Sequence, residues 1–111
     1  MYTLNLNTYR NTHFQVLNKV KKEYKAAITD QLKDKPHFHN VKIRYVLYVK
    51  TNRLCDISNV LSIHDKFFCD ALVELDKLPE DNYQHLQDVQ YCYGGKDKDN
   101  PRVEILVTEV I

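Results

Sequence analysis

Glycine is nearly missing from this chain: 111 residues contain two, Gly94 and Gly95, side by side. Turns elsewhere must rely on Asn, Asp and Pro. The pair is not a phosphate-cradling loop, because no Lys-Ser/Thr and helix follow it. Cysteine is scarce and scattered. Cys55, Cys69 and Cys92 form no Cys-x-x-Cys pair and are odd in number. This argues against a disulfide framework or a cysteine zinc site and for a reducing cytosol. No apolar run approaches the ~20 residues that span a bilayer. Met1-Tyr2-Thr3-Leu4-Asn5 alternates and carries no signal-peptide pattern. A cytoplasmic protein without a membrane partner is expected. Excess charge is lacking as well. Sixteen Lys+Arg against fifteen Asp+Glu give a formal net charge of +1, a poor global argument for nucleic-acid binding.

What is present fits one domain over residues 1–111. Apolar residues make up 43%, enough for a modest core that dimerisation would enlarge. Charge is divided along the chain. Lys19 to Lys25 and Lys42 to Arg53 are basic, whereas acids gather between Asp56 and Asp88.

Periodicity predicts the elements. Tyr2, Leu4 and Leu6 alternate with polar residues, as in a half-buried strand. Leu17, Val20, Tyr24 and Ile28 predict an amphipathic helix over 14–32, and Pro36 stops what remains of it. Val41 to Val49 is the strongest strand pattern in the chain. Thr51 to Ser58 reads as a loop. Val60, Ile63, Phe67, Ala71 and Leu75 predict a second helix, with Pro79 beyond its end. Val89, Tyr91 and Tyr93 form a third strand that Gly94-Gly95 should end. Val103, Ile105 and Val107 form a fourth, after an exposed charged loop over 96–101. The order β-α-β-α-β-β predicts a small α+β domain with helices packed on a mixed sheet.

The chemistry concentrates between Arg53 and Asn82. Asp56 precedes the second helix, Lys66 and Asp70 lie four apart on it, and Glu80-Asp81 follow it. Four positions put Lys66 and Asp70 on one helix face. If the chain folds back, carboxylates from both ends of the helix converge. Two or three carboxylates suit Mg²⁺, which keeps waters for its substrate and can activate one of them at a scissile phosphate. An ammonium nearby would stabilise the transition state. The plain structural alternative is an Asp at a helix N-terminus, a surface Lys-Asp pair and solvated turn acids.

This segment resembles the signature of the RusA family. Asp56-Ile57-Ser58-Asn59 is similar to its Asp-x-Asp-Asn element. Lys66 with Asp70-Ala71-Leu72 is similar to its Lys-x-x-x-Asp-Ala-Leu element. Glu80-Asp81 is similar to its acidic pair, and Asn100-Pro101-Arg102-Val103-Glu104 resembles the closing strand of phage members. The resemblance implies a phage-encoded, homodimeric crossover junction endodeoxyribonuclease that uses Mg²⁺ or Mn²⁺ on Holliday junctions or other branched DNA, in recombination or genome processing in a bacterial host. It implies that Asp56 and Asp81 hold the metal, with Asp70 as a further ligand or as an orienting group. Lys66 would act near the phosphate. Arg10, His13, Lys50 and Arg53 are the residues expected to meet DNA. Two departures stand out. Ser58 replaces the second aspartate, which weakens a metal site. Six residues separate Asn59 from Lys66, about four more than in the shorter pattern, and four residues shift a side chain by ~6 Å along a helix. Asp65 could supply the missing acid, although it points about a quarter-turn from Lys66. A RusA-like domain that binds branched DNA or inhibits a host protein without cleaving is the second expectation, and a protein-interaction module is the third.

Of the remaining residues, Cys69 is expected to be a buried, inert thiol. His64 should be packed, His37 and His39 should lie in a solvated turn, and His85 should be on the surface. Tyr45, Tyr48, Tyr91 and Tyr93 are expected in the core or at a dimer interface.

Overall fold

The computed structural model describes residues 2–6, 17–51 and 56–110. Arg10, His13 and Arg53, expected at DNA, lie outside the described residues, as does Cys55. The elements are β1 (Tyr2–Leu6), α1 (Leu17–Leu32), β2 (Val41–Val49), α2 (Ile57–Glu74), β3 (Leu86–Lys96) and β4 (Arg102–Glu109). The fold is α+β, as the periodicity predicts.

The four strands form one mixed sheet in the order β1-β4-β2-β3. β4 is antiparallel to both β1 and β2, while β2 and β3 are parallel. Parallel neighbours need a crossover, and α2 provides it. Period-two alternation decides which face the helices cover. Val41, Ile43, Tyr45, Leu47 and Val49 are buried, whereas Lys42 and Arg44 are exposed. Leu4, Val103, Ile105 and Val107 continue the buried face across β1 and β4.

Helical spacing supplies the other half of the core. Tyr24, Ile28 and Leu32 of α1 are buried, as are Leu61, Phe67, Phe68 and Leu72 of α2. The Tyr24 ring meets Phe67 edge-on at 5.6 Å, and its hydroxyl donates to the His64 carbonyl at 3.1 Å. Burial of aromatic area on this scale dominates core energetics.

The ends of α2 are specified by side chains. Asp56 is the N-cap: its Oδ1 accepts from the Ser58 N–H at 3.1 Å and from Ser58 Oγ at 2.9 Å. The helix therefore starts earlier than the apolar pattern suggests, because the cap precedes the first large apolar side chain. At the other end, Asp76 N–H donates to Val73 O and Lys77 N–H to Leu72 O, at 3.1 and 2.8 Å. This is a Schellman ending, whose left-handed residue is usually glycine. Here Asp76 takes it, with φ 57°.

Gly94-Gly95 do not end the third strand. They lie inside β3, at a register shift that sets Leu47 opposite Tyr93 and Tyr48 opposite Gly95. The extra residue, Gly94, lies beneath the Tyr48 ring, and a Cβ there would sit 2.7 Å from Tyr48 and Val46 carbons. Above the same ring stands the Arg102 guanidinium, 4.0 Å from its centroid. Arg102 also binds Asp97 at 2.7 Å and Glu104 at 3.1 Å, tying the β3–β4 loop to the sheet.

Among the described residues, no helix is long and apolar enough to cross a membrane.

Candidate functional site

The expected catalytic residues are distributed along α2 and past its end. Asp56 is exposed at the N-terminus, with one carboxylate oxygen occupied by Ser58. Ser58, where the family pattern has an acid, completes this cap as a donor. Lys66 is exposed and Asp70 is half-buried. Lys50, just past β2, is exposed. Asp81 is exposed in the segment between α2 and β3. The chain just before it is fixed at the far end of the helix, where the Lys77 and Leu78 N–H groups donate to Leu72 O at 2.8 and 3.2 Å.

Helix geometry therefore keeps the end carboxylates apart. At a rise of about 1.5 Å per residue, Leu72 is roughly 24 Å along the axis from Asp56, farther than the three residues from Leu78 to Asp81 can span back. Two ligands of one Mg²⁺ both lie within about 2.1 Å of the ion. One ion does not reach Asp56 and Asp81 of the same chain, which corrects the convergence expected from the sequence. Among the described residues, no three His, Cys, Asp or Glu side chains are grouped so as to hold a metal ion.

Polar side chains do come together around Asp65. Tyr45 Oη donates to its Oδ1 at 2.9 Å and Tyr91 Oη to its Oδ2 at 2.7 Å. Cys69 Sγ donates to Oδ1 at 3.3 Å from one turn further along α2. The carboxylate thus turns toward the sheet, not outward beside Lys66. Burial, then the Asp65 charge, pushes the Cys69 thiol well up. Burial is likewise the leading cause of the raised Tyr45 pKa. For Tyr91, burial and then the hydrogen bond to Asp65 push the phenol up to about 12. These groups stay protonated at neutral pH and act as donors. The cluster anchors α2 to β2 and β3, and Cys69 is the inert thiol expected.

His64 is packed, as expected, at 8% exposure. Its ring lies 5.4 Å from that of Tyr24, its Nδ1 has no hydrogen-bond partner among the described residues, and burial lowers its pKa to about 4. Tyr45 is fully buried, but Tyr91 and Tyr93 are 36% and 57% exposed. Both belong to the edge strand β3, so the core part of the expectation does not hold for them.

The open face of the sheet carries a groove of about 140 Å³ lined by Lys42, Arg44, Asp88, Gln90, Leu106 and Thr108. Arg44 Nε donates to Gln90 Oε1 at 3.0 Å, and Gln90 donates to Asp88 at 3.3 Å. Cations and an anion alternate here, so the groove has no single sign of charge.

The chain matches no known protein-family profile and no curated protein.

Proposed function

We propose that this protein is a RusA-like, divalent-metal-dependent endonuclease acting on four-way or other branched DNA. One observation carries the reading. The ordered series Asp56, Lys66, Asp70, Asp81 is borne by a single helix and the segment after it, and none of the four side chains is fully buried. The β-α-β-α-β-β order around that series supports it. The separation of Asp56 from Asp81 adds a requirement. Carboxylates from both ends of α2 meet only if two protomers contribute them, so the active form is a homodimer. Lys50, with Arg10, His13 and Arg53, would meet the phosphates.

The test is a synthetic four-way junction with Mg²⁺ or Mn²⁺. Paired nicks that vanish on Asp81→Asn support the enzyme. Mixing Asp56→Asn with Asp81→Asn subunits then examines the shared site. A heterodimer of the two rebuilds one intact Asp56/Asp81 pair if the pair spans protomers, and none if it lies within one. Ser58→Asp supplies the second acid of the family pattern and should increase nicking.

A second reading is a domain of the same type that binds branched DNA without cutting it. The specific observation favouring it is that Ser58 serves the Asp56 cap as a donor. Binding that weakens steeply with salt, without nicks in either metal, would select this reading. Absence of binding at any salt concentration would remove both.

A further inference from the structure

We propose that His37 and His39 form a binding site for a late-transition-metal dication of the Zn²⁺, Ni²⁺ or Cu²⁺ class. The site lies in the α1–β2 connection and uses none of the carboxylates discussed above.

The backbone sets the pair. Phe38 is fully buried, and its N–H donates to Lys77 O at 2.7 Å. In this clamped, non-helical stretch the residues on either side of Phe38 turn outward, and both histidines are exposed. Their ring centroids are 5.5 Å apart. Two imidazoles on one tetrahedral ion, with metal–nitrogen bonds of about 2.0–2.1 Å, have centroids about 5 Å apart. The rings now stand at 87°. Rotation of the His39 ring, which has no hydrogen bond among the described residues, would aim both nitrogens at one point.

Tautomer chemistry supports the same site. His37 Nδ1 lies 2.7 Å from the Asp76 carbonyl oxygen. A carbonyl only accepts, so Nδ1 carries the hydrogen and the Nε2 lone pair of the neutral ring faces out. An imidazole that donates one nitrogen to a carbonyl and offers the other to a metal is the usual arrangement in metalloproteins. The segment is also held from below. His85 Nδ1 is 2.7 Å from His39 O, and the His85 carbonyl accepts from Val41 N–H at 2.8 Å. Imidazole pairs select the later transition metals over Mg²⁺ and Ca²⁺, which prefer oxygen. Among the described residues no third strong ligand joins the pair, so water would complete the coordination and leave exchangeable positions.

Titration calorimetry of the full chain with ZnCl₂ and NiCl₂ tests this, alongside His37→Ala and His39→Ala. Both positions are exposed, and thermal melts without metal verify that the variants fold. The expected result is one ion per chain, bound at least about tenfold more weakly by each variant. Cu²⁺ electron paramagnetic resonance should show coupling to two imidazole nitrogens, falling to one in either variant. No uptake below about 1 mM, or equal affinity in wild type and both variants, overturns the proposal.

Discussion

Tyr91 Oη and Asp65 Oδ2 are joined at 2.7 Å, linking the edge strand β3 to the middle of α2. With the bonds from Tyr45 and Cys69, the carboxylate takes three donors from three elements. Bonds to an ionised acceptor are the stronger kind, and each removed one leaves a donor to be re-solvated. Asp65→Ala should therefore cost about 3 kcal/mol, and Tyr91→Phe, at the exposed side, about 1 kcal/mol. Asp65→Asn keeps one acceptor oxygen and should fall between them. Urea unfolding midpoints measure all three. Equal stability of Asp65→Ala and wild type would contradict the anchoring role.

His64 makes stability sensitive to acid. Its imidazole takes up a proton near pH 6.5 when unfolded but only at about pH 4 in the folded chain. Between these values the unfolded state binds the extra proton, so lowering the pH favours unfolding. The stability linked to His64 is complete above pH 6.5 and lost by about pH 4, a change on the order of 3 kcal/mol. His64→Phe should flatten that part of the curve. The check is the difference between wild type and variant in unfolding free energy at pH 7 and at pH 4.5.

Gly94 and Gly95 resist substitution for different reasons. At Gly94 an added methyl would sit 2.7 Å from the Tyr48 ring, which Arg102 covers on its other side. Gly94→Ala should cost about 1–3 kcal/mol by overpacking. At Gly95 an added Cβ would meet no atom of the described residues within 4 Å beyond its chain neighbours, but φ is +130°, and alanine there is strained by about 1–3 kcal/mol. In a Tyr48→Ala background part of the Gly94→Ala penalty should disappear, while the Gly95→Ala penalty persists. Thermal melts of the four combinations separate the two causes.

Asp76 offers a gain. It occupies the left-handed position after α2, where a side chain costs on the order of 1 kcal/mol relative to glycine. Asp76→Gly should raise the unfolding midpoint by a corresponding amount. A lower midpoint would mean that the side chain contributes something the backbone geometry does not reveal.

Much of this fold is legible in the residues alone. The alternation over Val41–Val49 identifies both the strand and its buried face, and the spacing of Phe67, Ala71 and Leu75 identifies α2. β3 is less legible because its two register shifts break the period of two: its half-buried residues, among them Leu86, Val89 and Cys92, recur every third position. Sheet order is not legible either. β4 lies between β1 and β2 through pairings that are remote in sequence. The Asp65 cluster was hidden for the same reason, since Tyr45 and Tyr91 are 20 and 26 residues from the acid they bind. The candidate acids were visible as a pattern along one helix, but a pattern states order and not separation. An 18-residue helix keeps its ends about 27 Å apart.

The placement of β4 between β1 and β2 has a kinetic consequence. Among the described residues, β1 pairs with β4 and no other strand, from Tyr2 opposite Val107 to Leu6 opposite Val103. Almost the whole chain must be threaded into place before β1 gains a neighbour, and β2 lacks one of its two until then. Such distant pairings slow folding toward the millisecond-to-second range. Until the last strand docks, β1 and one flank of β2 present bare edges to other molecules, so aggregation competes with folding at that stage.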